Sequence, residues 1–478
     1  MATACHHDGR VESFDLVVLG AGTAGLGAAR SAAQAGRSVL LLDSGPPGGD
    51  CTWSGCVPSK SLIEVARNAH AARSLGADPA IDMRSVHDRV HAIISDIAED
   101  ESPARLAREG VSFRRQLGRF TSDRVVELED GTQVTGAQHV IATGAGPLIP
   151  PIDGLGEVAH LTNRTVFDLT EVPSHLLVLG GGPIACELAQ AWRRLGAQVT
   201  VFEALDRILT KDEPEVSTVL QKVFAEEGIT VHTGSTVTRV SAGPTLHLQD
   251  GRSFSGSHLL VAVGRRPNTD GLEASGVTVD PKTRRVVVDD RLRTSVSHIW
   301  AAGDCATPLQ LTHVADEQGR LAAANAFARR AKRFDDRVIP WITFTSPEVG
   351  RVGLSEAEAF TRYGSRAVVT HVPMGSQDRA RCCAETTGFV KLIAAPTTLP
   401  GRVTKYLDRI VGLTVVAPPA GEMIHTGVLA MAAGVPAYRL AKAVHAYPSW
   451  SLALRYAAAA LFVATERGTR RPAQAPPG

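Results

Sequence analysis

The sequence predicts an α/β fold with two Rossmann-like units followed by a smaller α+β domain. Three observations predict it: a strand–glycine–helix–strand–acid pattern occurs twice, the chain has 478 residues, and 45 of them are glycine. At ~150 residues per domain this length suits about three domains. The glycine content points to tight turns and close approaches of backbone to a ligand.

The first unit opens with a strand over 15–19 and runs into Gly20, Gly22 and Gly25. An Ala-rich helix follows, then a strand over 38–42 that ends in Asp43. The second opens with a strand over 176–179, passes Gly180, Gly182 and Ala185, and continues as a helix through Leu195. It returns as a strand over 198–202 ending in Glu203, and first glycine and acid are 23 residues apart both times. The glycines admit a pyrophosphate against the backbone, and the helix N-terminus offers N–H groups and a positive dipole end. The terminal acid accepts from a ribose hydroxyl. A single glycine triplet also occurs as a plain turn; two copies of the whole pattern predict two dinucleotide-binding domains.

Between the units, residues 48–60 read GGDCTWSGCVPSK and place Cys51 and Cys56 five apart, where a glycine-rich loop enters a helix. A helix N-terminus lowers a thiol's pKa, and a distorted turn lets two sulfurs meet as a reducible disulfide. The spacing also fits buried thiols or half of a zinc site, but no second pair at finger-like spacing supplies the remaining ligands. Next to a dinucleotide motif, the redox reading prevails.

Composition narrows the class. Net charge is +1 and aromatic residues are 5%, so neither a basic field nor stacking surfaces argue for nucleic acid. Seven scattered cysteines fit a reducing cytoplasm better than a secreted disulfide scaffold. The first ten residues lack the apolar core of an export signal, and the apolar stretch over 451–465 is interrupted by Arg455, so no membrane span is expected.

The segment at 48–60 resembles the active-site segment of the class I pyridine nucleotide–disulfide oxidoreductases, which include glutathione reductase, dihydrolipoamide dehydrogenase and mercuric reductase. Further matching segments are Ala142-Thr143-Gly144, Val263-Gly264-Arg265-Arg266-Pro267-Asn268, Ala301-Ala302-Gly303-Asp304-Cys305 and the run FTSPEVG over 344–350. The resemblance spans about 14–462. It implies FAD on the first unit, a nicotinamide cofactor on the second, and a homodimer in which each active site takes a C-terminal segment from the partner. By the same resemblance Cys56 is the flavin-side thiol and Cys51 the interchange thiol exposed to the acceptor. Lys60 pairs with Glu187 near flavin and nicotinamide, Asp304 binds the ribityl chain, and Thr143 and Gly144 border the flavin. Gly20, Gly22, Gly25, Asp43, Gly49 and Gly303 complete the FAD set. Gly180, Gly182, Glu203 and Gly264 join Glu187 in the cofactor set. No resident metal site is expected. The implied domains are 12–150 with 270–337 for FAD, 151–269 for NAD(P)H, 338–466 for the interface, and a disordered tail at 467–478.

Departures from the family pattern shape the expected chemistry. Glu203 repels the extra phosphate of NADPH, and the two arginine positions of NADPH-using relatives hold Ala204 and Thr210. NADH is therefore preferred, although Arg207 offers NADPH a nearby cation. Pro183 stands where the family has a gating tyrosine. The C-terminal HxHPTxxE signature reads here as His445-Ala446-Tyr447-Pro448-Ser449-Trp450-Ser451-Leu452. The acid–base histidine has become Tyr447 and its orienting glutamate Leu452; His445 substitutes only with a two-residue shift. A phenol near pKa ~10 is a poor proton shuttle at neutral pH, and such help is worth ~10²–10⁴-fold. A soft metal ion needs no such shuttle.

The leading expectation is a cytoplasmic, mercuric-reductase-like oxidoreductase that reduces Hg(II) or another acceptor through a Cys51–Cys56 disulfide. The alternatives are a dihydrolipoamide dehydrogenase-like disulfide reductase and a flavin-bearing redox sensor with little turnover. Against a standard mercuric reductase, residues 465–478 hold no cysteine, and no N-terminal metal-capture domain is expected. The vicinal Cys382-Cys383 is expected on a strand, with the two thiols on opposite faces. Cys5-His6-His7 resembles a metal-binding triplet, a surface loop is expected over 396–400, and Cys186 and Cys305 are expected to pack in cores.

Overall fold

The computed structural model describes residues 11–396 and 408–466, except the side chains of 463–466. The Cys5-His6-His7 triplet, most of the expected 396–400 loop and the tail at 467–478 lie outside the described residues. The chain divides into two compact units: 1–151 with 161–172 and 261–335, and 152–160 with 173–260 and 336–478.

In the first unit, strand β1 (Glu12–Leu19), helix α1 (Thr23–Gln34) and strand β2 (Val39–Asp43) form the first repeat. Its sheet, of seven strands among the described residues, runs Val111–Arg115, β2, β1, Gln133–Ile141, Val125–Leu128, Gly118–Phe120, with Ile299–Ala301 also along Gln133–Ile141. The pairs from Val111–Arg115 to Gln133–Ile141 are parallel, as is Ile299–Ala301, and the last two strands return antiparallel. A parallel strand covered on both faces reads as an unbroken apolar run. That is why Leu16, Val17 and Val18 are all fully buried, each contributing roughly 1.5–3 kcal/mol from burial.

One face of this sheet is covered by α1 and the helix Thr312–Phe327, which cross closely. A Cβ on Gly319 would stand 2.0 Å from the Ala24 carbonyl oxygen, so this crossing excludes any side chain there. Three further helices sit beside the first repeat: α2 (Gly49–Trp53), α3 (Cys56–Ser74) and α4 (Met83–Glu99).

The second unit holds the second repeat, with His175–Leu179, helix Pro183–Leu195 and strand Gln198–Phe202. Its sheet runs Ile229–His232, Gln198–Phe202, His175–Leu179, His258–Val261. The same unit ends in an antiparallel sheet, five-stranded among the described residues, in the order Pro340–Thr343, Glu348–Gly353, Arg409–Ala417, Phe389–Ala395, Val368–Pro373. Helices Ala420–Ala432 and Leu452–Glu466 pack on it around Leu392, Leu413, Ile424 and Leu454. Within this unit, buried Lys391 reaches Glu215 at 2.5 Å, Glu356 at 2.7 Å and Glu213 at 3.6 Å. Those three carboxylates outweigh burial and hold the ammonium's pKa above its ordinary value. Cys186 and Cys305 are fully buried, as core residues; burial pushes the Cys305 thiol up to about 11.

Candidate functional site

The two repeats build the same local device. Asp43, at the tip of β2, accepts from the Ala21 N–H at 2.6 Å and the Gly45 N–H at 2.8 Å. Glu203, at the tip of the matching strand, accepts from the Gly181 N–H at 2.6 Å and the Leu205 N–H at 2.8 Å. Each carboxylate thus receives the N–H between the glycines and the N–H two residues beyond itself. A carboxylate has about four acceptor positions, so two remain on each for ribose hydroxyls.

Gly22 and Gly182 are the N-caps of their helices, and neither helix is capped by a side chain. A Cβ at Gly182 would meet nothing within 4 Å, and one at Gly22 only the Gly49 Cα at 3.8 Å. The space before each helix start is therefore open to an anion that needs N–H donors. Gly25 serves packing instead: a Cβ there would fall 1.7 Å from the Gly20 carbonyl oxygen. Gly49, at φ +61°, lies against Gly22, so the cysteine segment is laid across the mouth of the first repeat. In the second unit Ala185 is fully buried in the position of the third glycine. The residues of both repeats fit dinucleotides.

Cys51 lies on α2, and Cys56 is the first residue of α3. The turn between them is tight, because a Cβ on Gly55 would be 2.6 Å from the Asp50 carbonyl oxygen. The Thr312 hydroxyl ties the pair together: it donates to Cys51 Sγ at 3.4 Å and is 3.3 Å from Cys56 Sγ. Both cysteines are thiols in this structure. For Cys51 the hydrogen bond to Cys56 and burial push the thiol pKa above the ordinary range.

Cys51 is half-buried and Cys56 exposed. Asp304 is near enough to Cys56 for an ionised thiol there to raise its carboxyl pKa. Burial chiefly raises the Asp304 pKa, and the Arg265 guanidinium opposes that rise. Arg265 bridges Asp304 at 3.4 Å and Asp50 at 2.6 Å. Thr143 donates to the Asn268 carbonyl at 2.5 Å, and Asn268 donates back to the Thr143 carbonyl at 2.9 Å. This clasp holds Gly144, where a Cβ would meet open space, and strand Ala145–Pro147 against Arg265–Pro267 just after Gly264. Gly303 donates its N–H to Gln318 at 3.0 Å. Lys60 sits on α3 one turn after Cys56, hence on the same face.

The first unit thus brings together Gly20, Gly22, Gly25, Asp43, Gly49, Cys51, Cys56, Lys60, Thr143, Gly144, Gly264, Gly303 and Asp304. Sequence reading missed Thr312 and the Asp50–Arg265–Asp304 chain. Asp50 and Arg265 stood inside matching segments, but only the tertiary fold pairs residues 215 positions apart.

In the second unit, buried Glu187 accepts from the Phe344 N–H at 2.9 Å. Pro183 is the first residue of its helix. Arg207 donates to Ser217 Oγ at 3.0 Å and to the Leu209 and Thr210 carbonyls at 3.2 and 2.7 Å. Tyr447 is exposed, and its hydroxyl donates to Asp378 Oδ2 at 2.9 Å. That hydrogen bond, then the Asp378 charge, raises the phenol's pKa. His445 is half-buried, with Nδ1 at 3.1 Å from the Ala443 carbonyl, and Leu452 is buried. The strand expected at Cys382-Cys383 is absent. Cys382 ends the helix Asp378–Cys382 and Cys383 is its C-cap, both exposed, because Asp378 begins a helical turn where apolar alternation breaks off.

Residues 14–319 match the family model described as pyridine nucleotide-disulphide oxidoreductase, and 339–458 match that family's dimerisation domain. A mercuric reductase of Streptomyces lividans is 35% identical over 93% of this chain and 95% of its own length. A dihydrolipoyl dehydrogenase of Bacillus subtilis is 31% identical over 92% and 97%. Among solved structures, LpdA from Mycobacterium tuberculosis matches at 30% identity and TM-score 0.83, over 94% of this chain and 100% of that one. The copper(II) complex of the HOCl-induced flavoprotein disulfide reductase RclA from Escherichia coli matches at 25% and 0.84, with the same coverage. Among the described residues no helix is long and apolar enough to cross a membrane.

Proposed function

The chain belongs to the pyridine nucleotide-disulphide oxidoreductase family, and from that premise we propose that this flavoprotein, which uses FAD and NAD(P)H, reduces a soft metal ion. Mercury(II) is the leading substrate. The bound cofactors supply a hydride's two electrons.

The chain's own residues supply the rest. Cys51 and Cys56 alternate between dithiol and disulfide, a change of two electrons and two protons. As thiolates they hold Hg(II) through two Hg–S bonds, which break as the ion becomes Hg(0). Overall, NAD(P)H and Hg(II) give NAD(P)⁺, H⁺ and Hg(0). The first unit's site residues, Lys60 included, hold FAD. Gly180, Gly182, Glu187 and Glu203 hold the nicotinamide cofactor, with NADH preferred because Glu203 is anionic and Arg207 is engaged elsewhere. We assign 12–150 with 270–337 to FAD, 151–269 to NAD(P)H and 338–466 to homodimerisation, and place the protein in the cytoplasm on its cysteine usage.

The observation that carries this choice of acceptor is Tyr447. A phenol tied to Asp378 does not shuttle protons at neutral pH, which disfavours thiol exchange but not thiolate–metal binding. The test is anaerobic NADH oxidation with Hg(II), Cu(II) or lipoamide as sole acceptor. Metal-dependent turnover that is lost in Cys51→Ser supports the proposal. Faster turnover with lipoamide than with either metal refutes it, and no turnover with any acceptor favours a sensor.

A further inference from the structure

Helix α4 carries two histidines one turn apart, His87 and His91. Residues four apart share a helix face, and these rings lie 4.2 Å apart between centroids. Asp168, at the end of the short turn Val166–Asp168, faces them from a segment 77 residues later. One potential ligand atom from each of the three lies within 4.8 Å of the others. We propose that His87, His91 and Asp168 form a binding site for a divalent transition-metal ion of the Zn(II) or Cu(II) kind, separate from the cysteine pair.

Three observations support the assignment. His91 Nε2 is closed off from solvent and has no hydrogen-bond partner, yet stands 3.6 Å from Asp168 Oδ1. The buried nitrogen is left unsatisfied while facing a carboxylate oxygen beyond hydrogen-bond reach, and a cation between them gives it a partner. His87 Nδ1 is 3.0 Å from Asp88 Oδ1. That is the carboxylate–imidazole arrangement that orients metal-binding histidines, and it leaves Nε2 for the ion. Finally, a tetrahedral ion with bonds of about 2.0–2.1 Å needs donors roughly 3.4 Å apart. The donors here lie within 4.8 Å of one another, and His91 Nε2 and Asp168 Oδ1 are already 3.6 Å apart.

The donor set determines the class of ion. Two imidazoles and one carboxylate suit Zn(II) and Cu(II), whereas Mg(II) and Ca(II) prefer all-oxygen cages and Hg(II) prefers thiolates. Three protein ligands leave a fourth position for water. Val166 and Phe167 are buried, so their turn is already seated, and a bound ion would pin it to α4.

The test compares zinc binding by the wild-type holoenzyme and by His87→Ala/His91→Ala, using calorimetry with elemental analysis after dialysis. Zinc held by thiols is common to both proteins and cancels. Wild type is expected to bind one more Zn(II) per chain, with the histidine variant at least a hundredfold weaker at that site. Asp88→Asn should weaken it about tenfold while keeping the stoichiometry. Asp168→Asn, at an exposed side chain, should weaken it at least tenfold, and it remains decisive should the histidine variant not fold. Equal zinc stoichiometry and affinity in wild type and Asp168→Asn overturns the proposal. So does a wild type that binds no zinc beyond its thiol-bound share.

Discussion

Replacing Tyr447 by histidine tests whether the missing proton shuttle sets the acceptor. At an unperturbed value of ~10, less than ~0.1% of a phenol is ionised at pH 7, and the Asp378 bond lowers that fraction further. An imidazole near ~6.5 is about three-quarters in its base form at the same pH. The supply of proton acceptor therefore rises about a thousandfold, within the ~10²–10⁴ range of general acid–base help. Some of that gain is lost because buried Leu452 cannot orient the ring as a glutamate would. Tyr447→His should raise lipoamide-dependent NADH oxidation ~10–100-fold and give it a pH profile that rises through ~6–7. Hg(II)-dependent turnover should change less than threefold. The reasoning fails if lipoamide turnover is unchanged, or if the metal reaction gains as much.

Gly25→Ala places a methyl group 1.7 Å from the Gly20 carbonyl oxygen. It should separate α1 from the phosphate cradle, seen as at least tenfold weaker FAD retention on gel filtration. Glu203→Gln keeps an acceptor for the Gly181 N–H but removes the charge; steady-state assays should show the NADPH:NADH ratio of kcat/KM rising about tenfold. Burial lowers the His139 pKa to about 4, below its unfolded value of ~6.5, so the unfolded chain binds the extra proton first. Stability should therefore fall as pH drops from ~6.5 to about 4, by about 3 kcal/mol from this residue. Denaturant midpoints across that range should show a shallower slope in His139→Leu.

The repeats were legible because a dinucleotide cradle fixes its glycines and acid by covalent spacing. Asp43 and Glu203 accordingly play the same part. The cysteine pair was legible for the same reason, being local to one loop. Thr312 was not, since a lone threonine at a helix start becomes a thiol partner only when that helix packs on α1. The raised pKa of Cys51 was not legible, because it comes from a neighbouring thiol and from half-burial. The Cys382-Cys383 segment is too short for periodicity to separate strand from helix. Asp168 completes the histidine cluster only through tertiary structure, as Glu356 does for Lys391.

The two-sulfur relay is tested most directly by anaerobic dithionite titration of the air-oxidised holoenzyme. A flavin and a disulfide together take up four electrons per chain, and Cys51→Ser, left with the flavin, takes up two. Equal uptake of two electrons by both proteins would contradict a redox-active Cys51–Cys56 pair.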